Sequence, residues 1–225
     1  MRPLAILGGT FDPVHVGHLR VAWEAADALD AEVKLVPANV PPHRPQPVAT
    51  PAQRVAILEA ALAGQSRLGL DLRELARSGP SYTIDTLAEL RAEIGARPLV
   101  LLIGADAYGH LPTWHRWHDL FGYAHIGVLT RGGVHATVPD ELVTEVAGRR
   151  AMDVADIRTT AAGHVIDLPV TALAISATRI RTLLSAGAEP RWLVPDALLA
   201  DPALLAPYRV ARQESTSGTT RRNHP

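Results

Sequence analysis

The chain of 225 residues contains no cysteine. A disulfide framework and a thiolate zinc site are therefore both excluded, and the composition suits a reducing cytoplasm. Charge of one sign is lacking as well: the formal net charge is −1, so the sequence carries no basic footprint for nucleic acid. No apolar run approaches the roughly 18 residues that a membrane span needs. Met1-Arg2-Pro3 leads straight into the first apolar run, without the longer stretch and cleavage site of a signal peptide. Neither a nucleic acid nor a membrane is expected as a partner, and the expected location is cytoplasmic. The Gly-Lys-[Ser/Thr] of a Walker A loop and the Gly-x-Gly-x-x-Gly fingerprint are both missing, which removes the main signal for kinase-like and dinucleotide-dehydrogenase readings. The sequence shows no internal repeat, and nothing in it specifies an oligomeric state.

What is present begins with 47% apolar residues, enough for one globular domain with a sizeable core. Leu4, Ala5, Ile6 and Leu7 form a short apolar run of the kind expected for a strand buried on both faces of a parallel sheet. Gly8 and Gly9 end it, where the backbone can turn sharply and lie against a ligand. Pro13 stiffens the loop. From Val16 the spacing of Leu19, Val21, Ala22, Trp23, Ala26 and Leu29 predicts an amphipathic helix. His15 and His18 fall at its first turn, where unpaired N–H groups and the helix dipole favour an anion. Residues 8–18 therefore read as a nucleotide phosphate site. Taken alone, a Gly-Gly pair is only a turn, and His-x-x-His is half a metal site that lacks further ligands at organised spacing. Asp12 is read as ordering its loop, and no protein metal site is expected.

Further along, Val33, Leu35 and Val36 predict a second strand stopped by Pro37. Residues 38–47 hold four prolines, which exclude regular helix and give a stiff loop tipped by His43 and Arg44. Thr50-Pro51 caps a helix with Val55, Leu58, Ala61 and Leu62 as its buried stripe and Gly64 as its end. Residues 68–72 read as a third strand. Ser81 or Thr83 is the expected cap of a helix that buries Ile84, Leu87, Leu90 and Ile94 and stops at Gly95. Residues 99–103 form the clearest strand and end at Gly104-Ala105-Asp106. Ligands of open parallel sheets bind outside such carboxyl ends. Residues 112–118 are chemically dense, with Trp114, His115, Trp117 and His118. Strands follow at residues 125–129 and 164–168, separated by a stretch, 134–163, that resists assignment apart from a helix near residues 141–149. A helix opens around Ile175, with Ser176 and Thr178 placed to cap it and Arg181 about one and a half turns along. A short helical stretch runs over residues 195–205. Strands alternating with helices predict a doubly wound, mostly parallel α/β sheet of Rossmann-like form.

Two motifs carry a resemblance. Residues 8–18, Gly-Gly-Thr-Phe-Asp-Pro-Val-His-Val-Gly-His, resemble the opening signature of the nucleotidyltransferase superfamily, and Ile175, Ser176, Thr178, Ile180 and Arg181 match its closing Ile-Ser-x-Thr-x-Ile-Arg signature. The middle segments, Val36-Pro37-Ala38-Asn39-Val40-Pro41-Pro42-His43-Arg44, Pro80-Ser81-Tyr82-Thr83, Ile103-Gly104-Ala105-Asp106 and Pro112-Thr113-Trp114, resemble bacterial nicotinate mononucleotide adenylyltransferases. The likeness covers residues 3 to about 208 in order, and a nucleotidyltransferase domain over 1–208 is expected. It implies transfer of the adenylyl group of ATP to nicotinate mononucleotide with release of pyrophosphate, and Mg²⁺ held mainly by ATP's own phosphates.

By that resemblance Gly8, Gly9, Thr10, Phe11, His15, His18, Gly104, Asp106, Ile175, Ser176, Thr178 and Arg181 bind ATP, with His15, His18 and Arg181 catalytic. His43, Arg44, Tyr82, Thr83, Trp114 and His115 take the nicotinate nucleotide, Trp114 by stacking on the pyridine ring. Thr83 and backbone N–H groups near Trp114 and His115 are the expected donors to its carboxylate. A phosphopantetheine adenylyltransferase is the alternative within the superfamily, and a catalytically idle nucleotide sensor the alternative outside it. Pro-Ser-Tyr-Thr and Pro-Thr-Trp speak against the first, and the intact phosphate motifs against the second.

From Arg209 the composition turns polar, and the tail is expected to be disordered. Residues 213–225 hold nothing that could join a core. Their deletion should leave both the Tm and the turnover of the enzyme nearly unchanged, as thermal unfolding and a pyrophosphate-release assay would show. A clear drop in either would mean that the tail docks on the body or on another subunit.

Overall fold

The structure, a computed structural model, describes residues 1–40, 46–131, 138–171 and 173–209. In chain order its strands and helices are β1 (Leu4–Gly9), α1 (Val16–Leu29), β2 (Glu32–Pro37), α2 (Pro51–Leu62), β3 (Leu68–Leu70), α3 (Thr83–Ile94), β4 (Leu99–Gly104), α4 (Ala105–Gly109), α5 (Leu120–Tyr123), β5 (His125–Arg131), α6 (Asp140–Val146), α7 (Val154–Thr159), β6 (Val165–Val170), α8 (Ala177–Ser185) and α9 (Asp196–Ala200). The six strands form one sheet in the order β3-β2-β1-β4-β5-β6, and every pairing in it is parallel. This is the doubly wound arrangement expected, with its reversal of strand order between β1 and β4.

The apolar run of β1 divides by parity. Ala5 and Leu7 join one buried cluster with Ala22, Ala25, Ala26 and Leu29 of α1 and Ile180 and Leu184 of α8. Leu4 and Ile6 join the cluster on the other face with Ile84, Leu87 and Leu90 of α3 and Leu120 and Phe121 of α5. Alternate side chains of a strand point to opposite faces, so a continuous apolar run is what a strand covered by helices on both sides requires.

Several expectations are corrected in detail. Trp23 leaves the stripe of α1 and is 41% exposed, because the groove against the sheet is filled by alanines one turn along. The buried face of α2 is Arg54, Ile57, Leu58 and Leu62, a stripe shifted from the predicted one and containing a charge. β3 stops at Leu70, since Asp71 turns to pair with Arg73. In the unassigned stretch α7 forms behind a reciprocal cap between Asp153 and Asp156. The last stretch is α9 followed by a tight turn at Ala206–Tyr208. His43, Arg44 and residues 210–225 lie outside the described residues.

His125 opens β5 fully buried. Its Nδ1 accepts from His164 N–H at 3.1 Å, and its Nε2 lies 3.0 Å from the Thr160 carbonyl, so the heavy-atom geometry assigns the proton to Nε2. Burial, helped by His164 and Arg91 nearby, pushes its pKa down to about 4. The unfolded chain, with an ordinary histidine pKa near 6.5, therefore binds the extra proton first. Stability from the neutral ring is fully present above about pH 6.5 and is lost as pH falls towards 4. Urea unfolding should show a loss of up to about 3 kcal/mol across that window. The slope should flatten in His125→Asn, and an unchanged slope would show that this ring is not held neutral.

Candidate active site

The crevice outside the carboxyl ends of β1 and β4 is where the strand order reverses, and both strands end there in glycine. A Cβ built on Gly8 or on Gly104 would meet nothing within 4 Å, so both backbones border open space. Gly9 differs, because a Cβ there would come within 2.9 Å of the Phe11 ring. Phe11 adopts a left-handed φ of 49°, tucks its ring under Gly9 and turns an edge to His18, with 5.1 Å between ring centres. Its side chain is buried. The Phe11 ring therefore supports the site from below, which leaves its backbone as the part that can face a ligand.

His15 is the N-cap of α1, and His18 is the third residue of the helix. Each Nδ1 accepts the backbone N–H of the other at 3.3 Å, so the two rings complete a capping box that Ser and Glu would ordinarily form. The rings stack at 3.6 Å and 19°. With both Nδ1 atoms accepting, the remaining proton of each ring sits on Nε2, and each ring presents a single donor. Burial lowers the pKa of His15 to about 4, which keeps that donor neutral at physiological pH. Gly17 leaves room for the His15 ring, since a Cβ there would lie 3.0 Å from His15 Nδ1.

The unpaired N–H groups expected at this helix start are mostly occupied. Val16 N–H donates to the Leu193 carbonyl at 2.9 Å, and His18 N–H is taken by His15. What α1 offers a ligand is chiefly the pair of imidazoles.

The closing motif lies against the opening one. Ser176 is the N-cap of α8, its Oγ accepting from Arg179 N–H at 3.2 Å. Arg181 extends one Nη to the Asp12 carbonyl at 2.7 Å and the other to Thr178 Oγ1 at 3.3 Å. Ile175 comes within 3.7 Å of the Cβ position at Gly17. Two motifs some 160 residues apart thus form one corner.

Asp12 organises this corner. Its carboxylate accepts from Val48 N–H at 2.8 Å, Ala49 N–H at 3.0 Å and Tyr208 Oη at 2.9 Å. Arg54 lies beneath, fully buried, with one Nη donating to the Thr10 carbonyl at 2.8 Å. Sequence reasoning missed Arg54 and Tyr208. A charge on the apolar stripe of α2, three and four residues before Ile57 and Leu58, was the available signal for the first; no local pattern marks the second.

On the acceptor side, Ser81 does not cap α3. Its Oγ accepts from Asn39 N–H at 3.0 Å and its N–H donates to the Val40 carbonyl at 3.0 Å, which fastens the start of the Pro-rich loop to the turn before α3. Tyr82 occupies the N-cap position and no side chain caps the helix, so the first turn, with Thr83, is left open to an outside acceptor. The Tyr82 and His115 rings lie 4.5 Å apart. Trp114 is half-buried against the second cluster, and its N–H is taken by the Leu111 carbonyl at 2.9 Å, which removes it from the expected donors. Asp106 stands exposed in the first turn of α4 without capping it. Among the described residues no group of three or more His, Cys, Asp or Glu could hold a metal ion.

A family model described as cytidylyltransferase-like matches residues 6–183. A protein of Halorhodospira halophila, named “Probable nicotinate-nucleotide adenylyltransferase”, is 47% identical over 199 residues, covering 88% of this chain and 91% of its own. One of the same name from Pseudomonas fluorescens is 48% identical over 199 residues, covering 88% and 92%. Among solved structures, the Plasmodium falciparum nicotinic acid mononucleotide adenylyltransferase complexed with NaAD superposes with a TM-score of 0.65 over 89% of this chain and 96% of its own, at 14% identity. That likeness shows the shared fold, while the relatives near half identity show the kinship. The chain is thus a member of the cytidylyltransferase-like family and, within it, of the nicotinate-nucleotide adenylyltransferases.

Proposed function

We propose that this enzyme joins Mg-ATP and nicotinate mononucleotide into nicotinate adenine dinucleotide, releasing pyrophosphate by direct in-line attack. The observation that carries the reading is the corner where His15, His18, Thr178 and Arg181 converge beside the open backbone of Gly8, facing Gly104 across the strand-order reversal. The acceptor's phosphate is already ionised near pH 7, so its oxygen attacks the α-phosphorus without a general base. As that bond forms, the bond from the α-phosphorus to the bridging oxygen breaks, and the electron pair leaves with pyrophosphate. No protein nucleophile intervenes.

What the protein supplies is alignment and charge stabilisation. The Nε2–H groups of His15 and His18, the Arg181 guanidinium and the start of α8 are grouped where the departing charge develops. Asp12 is engaged by protein donors, and the remaining groups of the corner are cations or neutral donors. Mg²⁺ accordingly arrives on the oxygens of ATP, where it neutralises phosphate charge. The open turn of α4 with Asp106 suits the ribose hydroxyls. Trp114, Tyr82 and His115 form the platform for the pyridine ring, and by the resemblance His43 and Arg44 also bind the nicotinate nucleotide. Dependence on ATP suits the cytoplasmic location expected from the composition.

His18→Ala should lower kcat by at least about a hundredfold, the usual contribution of one preorganised donor, with a smaller effect on the KM for ATP. Interactions that strengthen only as the α–β bond breaks appear in kcat. Steady-state kinetics with a kcat within threefold of the parent's would remove His18 from the phosphate site.

The choice between nicotinate and nicotinamide nucleotides tests the whole reading. The uncapped start of α3 favours an anion over a neutral amide. One hydrogen bond to a charged group is worth about 1.5–3 kcal/mol, or roughly ten- to a hundredfold. Measured at fixed Mg-ATP with pyrophosphate release recorded, kcat/KM should favour the nicotinate form by at least tenfold. Thr83→Val should narrow the gap, whereas Trp114→Ala should weaken both acceptors together. A ratio below about three would overturn the acceptor assignment, and no pyrophosphate release with either acceptor would overturn the activity.

A further inference from the structure

Tyr208 sits in the tight turn that ends the described chain, 196 residues from Asp12 in sequence. It is 4% exposed and belongs to the same core cluster as α1 and α8. A phenylalanine would fill that space equally well. The hydroxyl, however, donates to Asp12 Oδ1 at 2.9 Å, and that carboxylate is held on its other sides by Val48 and Ala49 N–H.

Three segments therefore meet on one buried group: the phosphate loop, the far stem of the Pro-rich loop and the Ala206–Tyr208 turn. The main chain of the same Asp12 receives Arg181 Nη1 at 2.7 Å, and its Oδ2 lies 3.7 Å from that atom. Thr178 Oγ1, at 3.3 Å, is the second hold on this guanidinium. Arg54, also packed here, has Nε and Nη2 buried with no hydrogen-bond partner. Its one hydrogen bond goes to the neutral Thr10 carbonyl, and its charge is balanced by the field of Asp12, so a displaced carboxylate would leave a buried cation uncompensated.

We propose that Tyr208 is a positioning residue for adenylyl transfer: by fixing Asp12 it fixes the direction of Arg181 towards the departing pyrophosphate. The inference depends on the adenylyltransferase reading above. A displacement of about 1 Å in an aligned charge can cost on the order of a hundredfold in rate, and the loss of one of three holds on Asp12 calls for a part of that. Tyr208→Phe should lower kcat about tenfold, with the KM values for ATP and acceptor within about twofold of the parent's. A purely structural tyrosine would instead lower the Tm and leave kcat at 25 °C unchanged.

The decisive experiment is a double-mutant cycle with Arg181→Ala, read as kcat at saturating Mg-ATP and nicotinate mononucleotide, with the Tm of every variant recorded. If Tyr208 acts through Arg181, then adding Tyr208→Phe to Arg181→Ala should cost less than twofold. Multiplying losses, or a Tyr208→Phe kcat within twofold of the parent's, would overturn the assignment. Should Tyr208→Phe not fold, Asp12→Asn, which keeps the side-chain volume, takes its place in the cycle with the same expectation and the same overturning result. An inactive parent would sink the activity together with this inference. An active parent with multiplying losses would sink the role of Tyr208 alone.

Discussion

A carboxylate that is 5% exposed survives burial only when its oxygens are satisfied, and that requirement on Asp12 organises much of the molecule. Val48 and Ala49 reach it from the segment before α2, and Tyr208 reaches it from the Ala206–Tyr208 turn. Arg54 approaches from α2 and Arg181 from α8. Val48, Ala49 and Tyr208 each supply a hydrogen bond that the buried Asp12 carboxylate would otherwise lack. The sheet supplies the frame; the convergence on Asp12 sets where the phosphate loop lies within it.

Above that foundation, small residues decide the placement of large ones. Gly9 leaves room for the Phe11 ring, which supports His18, and Gly17 leaves room for the His15 ring. The two histidines spend their Nδ1 atoms on each other's backbone. This starts α1 at a fixed residue, and burial keeps the His15 ring neutral. An interaction that grows as charge moves to the leaving group contributes to rate rather than to affinity.

Local signals made the frame and the two motifs legible. Apolar runs reported β1 and β4, Ser176 and Thr50 reported their helix starts, and Gly95 reported the end of α3, because each feature depends on residues adjacent in the chain. The reading failed where partners are distant. Ser81 was expected to cap α3 but is claimed by Asn39, and Trp114 N–H was expected to face the substrate but is claimed by Leu111. Arg54 and Tyr208 have meaning only through Asp12, which neither neighbours in sequence. A residue on an apolar stripe predicts burial; it does not predict which buried group it will meet.

The two halves of the site are built differently, and this bears on how one fold serves different acceptors. The half proposed to bind ATP stands on β1, α1 and α8, with helix caps and core packing fixing its groups. The acceptor half is assembled from connections: Asn39 and Val40 tied to Ser81, an isolated bridge between Val40 and Pro80, and the Tyr82–His115 ring contact. A site on rigid elements keeps the alignment that phosphoryl chemistry demands, while connecting segments can change length and composition without disturbing the sheet. Discrimination among acceptors therefore falls to cross-ties between loops, and loosening the Asn39–Ser81 tie would act on the acceptor while leaving the Asp12-centred ATP half in place.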